Sequence, residues 1–239
     1  IGSGAFSYCS NLTSMTIPST VTELGTSTFS NCRALQTVTF TGNLVKHLPE
    51  NLFYYCTKLQ NFEIPNGVET IGGSVFGYCG LLTEITVPEG VTFLPNNVFE
   101  SAKHLEEVIL PSTLTKIGED AFKDCVKLQA PELPEGLATI GASAFSGNTA
   151  MKSIAFPKSL TVIGGSAFDK CTGLTEVSFQ EGVTNLDSYA FQKCTALTEV
   201  QLPDSITTLG QRVFEGCTAL ESINYPKSLN KVDYWGSIF

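Results

Sequence analysis

From Phe168 to Ala190 the chain reads FDKCTGLTEVSFQEGVTNLDSYA. Counted from Phe168 as zero, apolar residues return at +3 (Cys171), +6 (Leu174), +9 (Val177), +11 (Phe179), +15 (Val183), +18 (Leu186) and +22 (Ala190). Val177 and Phe179 are two residues apart, the period of a strand, so both point one way while Glu176 and Ser178 point the other. A unit this small cannot bury such a face alone. What covers it depends on the residues to either side.

Those residues repeat the unit. The leading phenylalanine recurs at Phe6, Phe29, Phe53, Phe76, Phe99, Phe122, Phe145, Phe168, Phe191 and Phe214, with intervals of 23, 24 and then 23 throughout. A fixed period in this range signals stacked supersecondary units whose neighbours share one continuous core. The strand pair at +9 and +11 returns as Met15/Ile17, Val38/Phe40, Phe62/Ile64, Ile85/Val87, Val108/Leu110, Ile154/Phe156, Val200/Leu202 and Ile223/Tyr225. Position +12 is proline in eight of the ten units, as at Pro18, Pro65, Pro88 and Pro203. Proline has no N–H for a ladder, so each strand stops there, and stacked copies pair as a parallel sheet with one strand per unit.

Position +19 is glycine at Gly25, Gly72, Gly118, Gly141, Gly164 and Gly210, but proline at Pro49 and Pro95. Proline cannot take a positive φ, so a negative φ is expected there, with glycine chosen for close packing. The following stretch, such as GEDAFKDC or DSYAFQKC, is compatible with one helical or 3-10 turn.

The unit AFxxCxxLxxVxIPxxVTxIG resembles the BspA-like (Treponema-type) leucine-rich repeats of bacterial and protozoan surface proteins. The segments TFSNCRALQTV, AFKDCVKL and VFEGCTALESINYP carry the likeness. The resemblance implies an α/β solenoid: a right-handed leucine-rich-repeat superhelix of about ten 23-residue repeats. A parallel sheet would form one face and short helical or 3-10 turns the other. Residues 1–239 then form a single domain, a fragment with incomplete repeats at both ends. It also implies a secreted, cell-surface adhesion or protein-binding module with no catalytic residues and no cofactor. Departures are local: one residue is inserted between Phe40 and Val45, Pro131 takes a strand core position, and Ala102 and Asn148 replace the cysteine.

The eight cysteines, Cys9, Cys32, Cys56, Cys79, Cys125, Cys171, Cys194 and Cys217, all fall at +3. Cys125 lies two units from its nearest cysteines, about 10 Å at strand spacing, beyond the reach of a disulfide. A small buried hydrophobe with a weak S–H donor is the expected role. Asn148 fits that place if its side chain bonds the loop backbone of a neighbouring unit. No Cys-x-x-Cys or Cys/His spacing suggests a metal. His47 and His104 are the only histidines, in different units and without a third member for a triad.

The net charge is −9, with a pI near 4.7. Nucleic acid and anionic membrane surfaces would demand clustered Lys and Arg, so neither is an expected partner. No apolar run reaches membrane-spanning length. The chain opens in mid-repeat with Ile1, which reads as a piece whose targeting information lies elsewhere. Trp235 and Phe239 lie in a C-terminal stretch that departs from the repeat and are candidates to cover the last unit.

Charge is distributed unevenly within the unit. Positions +7 to +14 hold twelve acids and three bases, a balance of −9, and the eleven acids and eleven bases elsewhere cancel. The strand and its exit loop therefore carry the whole net charge. Candidate binding residues on this face are Glu63, Glu84, Thr86, Glu107, Ile109, Glu132, Glu176, Ser178, Glu199 and Gln201. Such a face suits a basic or host-surface protein, with the chain acting as a monomer. It equally suits a solubility device, and the alternative function is a passive spacer displaying another domain. No aromatic anchors decorate it. Tyr8, Tyr55 and Tyr78 form a partial column at +2, either a second contact surface or packing beside the core. The Thr41–Lys46 insertion and the Ala130–Pro134 segment each widen the sheet into a pocket or are tolerated changes. Asn11-Leu12-Thr13 matches a glycosylation acceptor, a weak signal.

Overall fold

A computed structural model describes residues 1–232; the expectation for Trp235 and Phe239 lies outside them. The phenylalanine column is a single stack. Ring centroids follow one another at 5.1–5.9 Å from Phe6 to Phe214, each ring within 23° of parallel to the next. Every ring from Phe29 to Phe214 is buried. Offset stacking of this kind adds a specific term to the area that each ring buries.

The strands fall into two columns, where the sequence suggested one. The first, at +8 to +11, comprises β1 (Ser14–Ile17), β2 (Thr37–Phe40), β5 (Glu84–Thr86), β7 (Glu107–Ile109), β10 (Ser153–Ala155), β12 (Glu176–Ser178), β14 (Glu199–Val200) and β16 (Ser222–Ile223). The second, at +17 and +18, comprises β3 (His47–Leu48), β4 (Thr70–Ile71), β6 (Phe93–Leu94), β8 (Lys116–Ile117), β9 (Thr139–Ile140), β11 (Val162–Ile163), β13 (Asn185–Leu186), β15 (Thr208–Leu209) and β17 (Lys231–Val232). All pairings are parallel and join equivalent positions, as in Met15↔Val38 and Leu186↔Leu209. The second column runs unbroken through seven strands, β6 to β17. Strands of two residues are too short to show alternation, which is why only the +18 core residue was visible in the sequence.

The first column is broken into two-stranded pairs. Two units form no strand at this position, those of Phe53 and Phe122. Their +9 residues are Phe62 and Pro131, where all the other units have Val, Ile or Met. Phe62 and Ile64 are buried as expected, yet no ladder forms. The Phe62 ring wedges against the phenylalanine column, 4.9 Å from Phe53 and 5.3 Å from Phe76, and Asn61 just before it has a φ of 50°. Pro131 lacks the N–H that a ladder needs.

No helix is present among the described residues, so the expected helical or 3-10 turn is replaced by something else. The residues at −2 and +2 are left-handed in every unit, for example Asn51 and Tyr55 (φ 56° and 60°) or Ser166 and Lys170 (56° and 59°). Alternating hand turns every second N–H toward the following unit. Ser27, Phe29 and Asn31 donate to the carbonyls of Glu50, Leu52 and Tyr54 at 2.7–3.0 Å, and the pattern repeats up the stack. A helical turn would direct these N–H groups back along its own axis and leave the neighbouring carbonyls unpaired. Ladder bonding therefore outweighs the cost of left-handed backbone at Ser, Tyr and Lys. The +19 glycines are not left-handed, as expected. A Cβ on Gly72 would lie 2.4 Å from the Glu50 nitrogen, so close approach is what requires glycine there.

Candidate site on the acidic strand face

All ten candidate binding residues lie on the first strand column or in its two gaps, and all are exposed. Ile109 is 53% exposed, a large apolar side chain in an otherwise polar surface. β5 and β7 set Glu84 directly opposite Glu107 and Thr86 opposite Ile109. A shallow cleft of about 420 Å³ lies on one side of this pair, over the Phe62 gap, with Glu63, Glu84, Glu107 and Ile109 in its lining. On the other side, over the Pro131 gap, lies a cleft of about 570 Å³ that includes Glu106, Glu107, Ile109, Glu132 and Glu135. No Lys, Arg or His lines either one. A third cleft, at Thr41–Asn43 and Asn61–Asn66, lies over the start of the inserted segment. The two irregular segments thus mark where the surface opens.

The acids are not equivalent. In the exit loops, Glu89 accepts from the Ser112 N–H (3.0 Å) and Oγ (2.9 Å), and Glu181 accepts from the N–H groups of Asp204 and Ser205 (3.1 and 3.0 Å). Asp204 pairs with Lys227 at 2.6 Å. The Ser112 bonds hold Glu89 below the usual carboxylate range, and Lys227 does the same for Asp204. These acids tie one unit to the next, a structural role that composition alone did not show. On the strands, Glu176 accepts from Ser178 (3.4 Å) and Glu199 from Gln201 (2.8 Å), while Glu106 pairs with Lys127. Among the described residues, the side chains of Glu63, Glu84, Glu107 and Glu132 have no hydrogen-bond or ion-pair partner. These four surround the two clefts.

The cysteine column is structural. Seven thiols donate to the phenylalanine carbonyl of the preceding unit at 3.0–3.3 Å, from Cys32 to Phe6 through Cys217 to Phe191. Asn148 does the same through Nδ2, which reaches the Phe122 carbonyl at 2.9 Å. All eight cysteines are free, and only Cys9 is exposed. Burial raises the pKa of Cys32, Cys56, Cys79, Cys125 and Cys171, the last to about 12, so these thiols stay protonated and poorly nucleophilic. His47 and His104 bond Thr70 and Gly80, not a thiol. Among the described residues no cluster of three His, Cys, Asp or Glu could hold a metal.

On the turn side, Tyr55 and Tyr78 stack at 4.3 Å, Tyr54 meets both edge-on, and Arg33 lies 5.9 Å over the Tyr55 ring. Tyr78 donates to Glu100. Partial burial, then the Glu100 charge, pushes its pKa up to about 12. The rings pack mainly on one another, and Tyr8 stands apart, 73% exposed.

The model of the BspA type leucine rich repeat region matches residues 1–129 and 115–236, in six copies. The chain belongs to this family. The BspA-type assignment agrees with solved structures. A leucine-rich repeat protein of Bacteroides ovatus is 29% identical over 97% of this chain and 77% of its own, with a TM-score of 0.56. A leucine rich cell surface protein of Faecalibacterium prausnitzii is 27% identical over 94% and 82%, with a TM-score of 0.52. The leucine rich repeat protein of T. pallidum, at 24% identity over 81% and 89% with a TM-score of 0.63, shares the fold. No curated protein matches the chain. The BspA-type solenoid is a repeat scaffold of the kind generally used for protein interaction, and typically not for catalysis. No helix of the described residues is long and apolar enough to cross a membrane.

Proposed function

We propose that this BspA-type chain is a cell-surface adhesion or protein-binding module that presents its first strand column to a basic protein, acts as a monomer and performs no catalysis. The observation that carries the reading is the charge distribution. The −9 balance falls on the strands and exit loops, and every outward strand acid chosen from the sequence is exposed. Low-dielectric walls beside such a surface focus its field and speed the encounter with a cationic partner. The cell-surface part is supported by the description of the Faecalibacterium prausnitzii relative.

The test is an array of purified extracellular proteins of basic and acidic isoelectric point, probed with the labelled chain at low and high salt. Retention on basic members, weakening as salt rises, is expected. It should disappear when Glu84, Glu107, Glu176 and Glu199 are all changed to Lys. Unchanged retention after that change removes this face from consideration. Retention on no member favours the spacer that displays another domain.

A further inference from the structure

The acidic face is not uniform, and its irregularity points to one place. Glu84 and Glu107 are like charges directly opposite on adjacent strands, an arrangement that destabilises a sheet. Neither has a cation or hydrogen-bond donor among the described residues, whereas Glu176 and Glu199 are each held by a neighbour on their own strand segment. The backbone is also incomplete here. Glu107 donates to the Thr83 carbonyl and the Ile109 carbonyl accepts from Val87, so by strand alternation the N–H and C=O of Val108 face the unit of Phe122. That ladder starts with Gln129 donating to Glu106 and then stops before Pro131. Val108 is 4% exposed and lines the second cleft, and no backbone bond joins it to Ala130 or Glu132. Unpaired buried backbone groups and facing carboxylates are both costly, and both occur where Ile109 stands exposed between two clefts.

We infer that the β5–β7 pair is where this face grips its partner, and that the partner offers an extended segment with two basic side chains flanking an apolar one. The inference rests on the proposed binding role of the acidic face and narrows it to one location. The Phe62 and Pro131 gaps that the clefts overlie are three units apart, about 14 Å at strand spacing. In an extended chain, residues i, i+2 and i+4 share one face, and the outer two lie about 13 Å apart. Their flexible stems take up the difference. The central residue covers Ile109, and the outer cations enter the clefts and neutralise Glu84 and Glu107 with Glu63 and Glu132.

The probe is the acetylated, amidated peptide KSLSK, titrated into the full chain while the Ile109 methyl resonance is followed by NMR. It should move that resonance and bind more tightly than KSSSK. Changing Glu84→Gln with Glu107→Gln should weaken binding roughly fivefold, the size expected for two exposed ion pairs. Glu176→Gln with Glu199→Gln should change it less than about twofold. Equal losses from the two double variants would overturn the localisation while leaving the acidic face as the binding surface. No loss from either would overturn both. Equal binding of KSSSK and KSLSK would overturn the apolar contact and with it the proposal.

Discussion

Asn148 Nδ2 donates to the Phe122 carbonyl at 2.9 Å, the bond that cysteine thiols make in seven other units. A second bond, to the Phe145 carbonyl, holds the amide in place, and its Oδ1 is buried without a partner. In every unit with a predecessor except that of Phe99, where Ala102 stands, the column supplies a short buried donor; sulfur is one way of supplying it.

This makes a stability series at position 148 informative. Asn148→Ala removes the donor and should cost about 1–3 kcal/mol. Asn148→Cys restores a donor and also removes the orphaned Oδ1, so it should equal or exceed the native chain. Denaturant unfolding of the three proteins checks the order, and an alanine variant as stable as the native chain would sink this account.

The phenylalanine stack predicts a position-dependent loss. Phe122 has ring neighbours on both sides and is fully buried, whereas Phe6 begins the column and is only partly buried. Phe122→Ala should cost about 3–5 kcal/mol. Phe6→Ala should cost clearly less, because it removes one stacking contact instead of two. Equal thermal shifts for the two variants would contradict a single continuous stack.

If proline causes the second break, removing it should mend the sheet. Pro131→Val supplies an N–H and a β-branched side chain at a +9 position, as in most units. The amide of Glu132 should then gain protection from hydrogen exchange as it pairs with Val108. Closing the second cleft should also weaken binding of KSLSK. Unchanged exchange at Glu132 would assign the break to some other cause.

Acid should loosen the stack through its exit loops. Glu89 and Asp204 have folded pKa values below their ordinary ones, so the stability they supply is full above the unfolded value, ~4. It is lost as pH falls through the folded values. Glu89→Gln and Asp204→Asn should therefore flatten the acid limb of a plot of Tm against pH, and an unaltered limb would show that these bonds do not couple the units.

Thiol chemistry separates the start of the column from its interior. Cys9 is exposed and should react with a small disulfide reagent in the native chain. Cys125 should react only after unfolding. Mapping the labelled positions by peptide mass decides this, and rapid labelling of Cys125 would contradict the buried column.

Much of this was legible because a repeat writes each contact ten times. Period, core columns, the role of Cys and Asn148 and the close packing at Gly72 all follow from side-chain character at fixed offsets. The left-handed residues were not read, although Asn, Asp and Gly recur at −2 and +2, among them Asn31, Asn51, Asp124 and Gly147. The second strand column escaped because two residues carry no alternation.

Sequence alone determined that identical side chains stack along one axis, since burying ten equivalent apolar faces leaves neighbours as the only cover. It also placed the charge on the strand side. Tertiary structure decided which acids are free. Whether a carboxylate bonds the next loop, as Glu89 does, or faces another carboxylate, as Glu84 does, depends on which units abut and where the ladder fails. That is a property of backbone geometry between neighbours, and no single unit contains it.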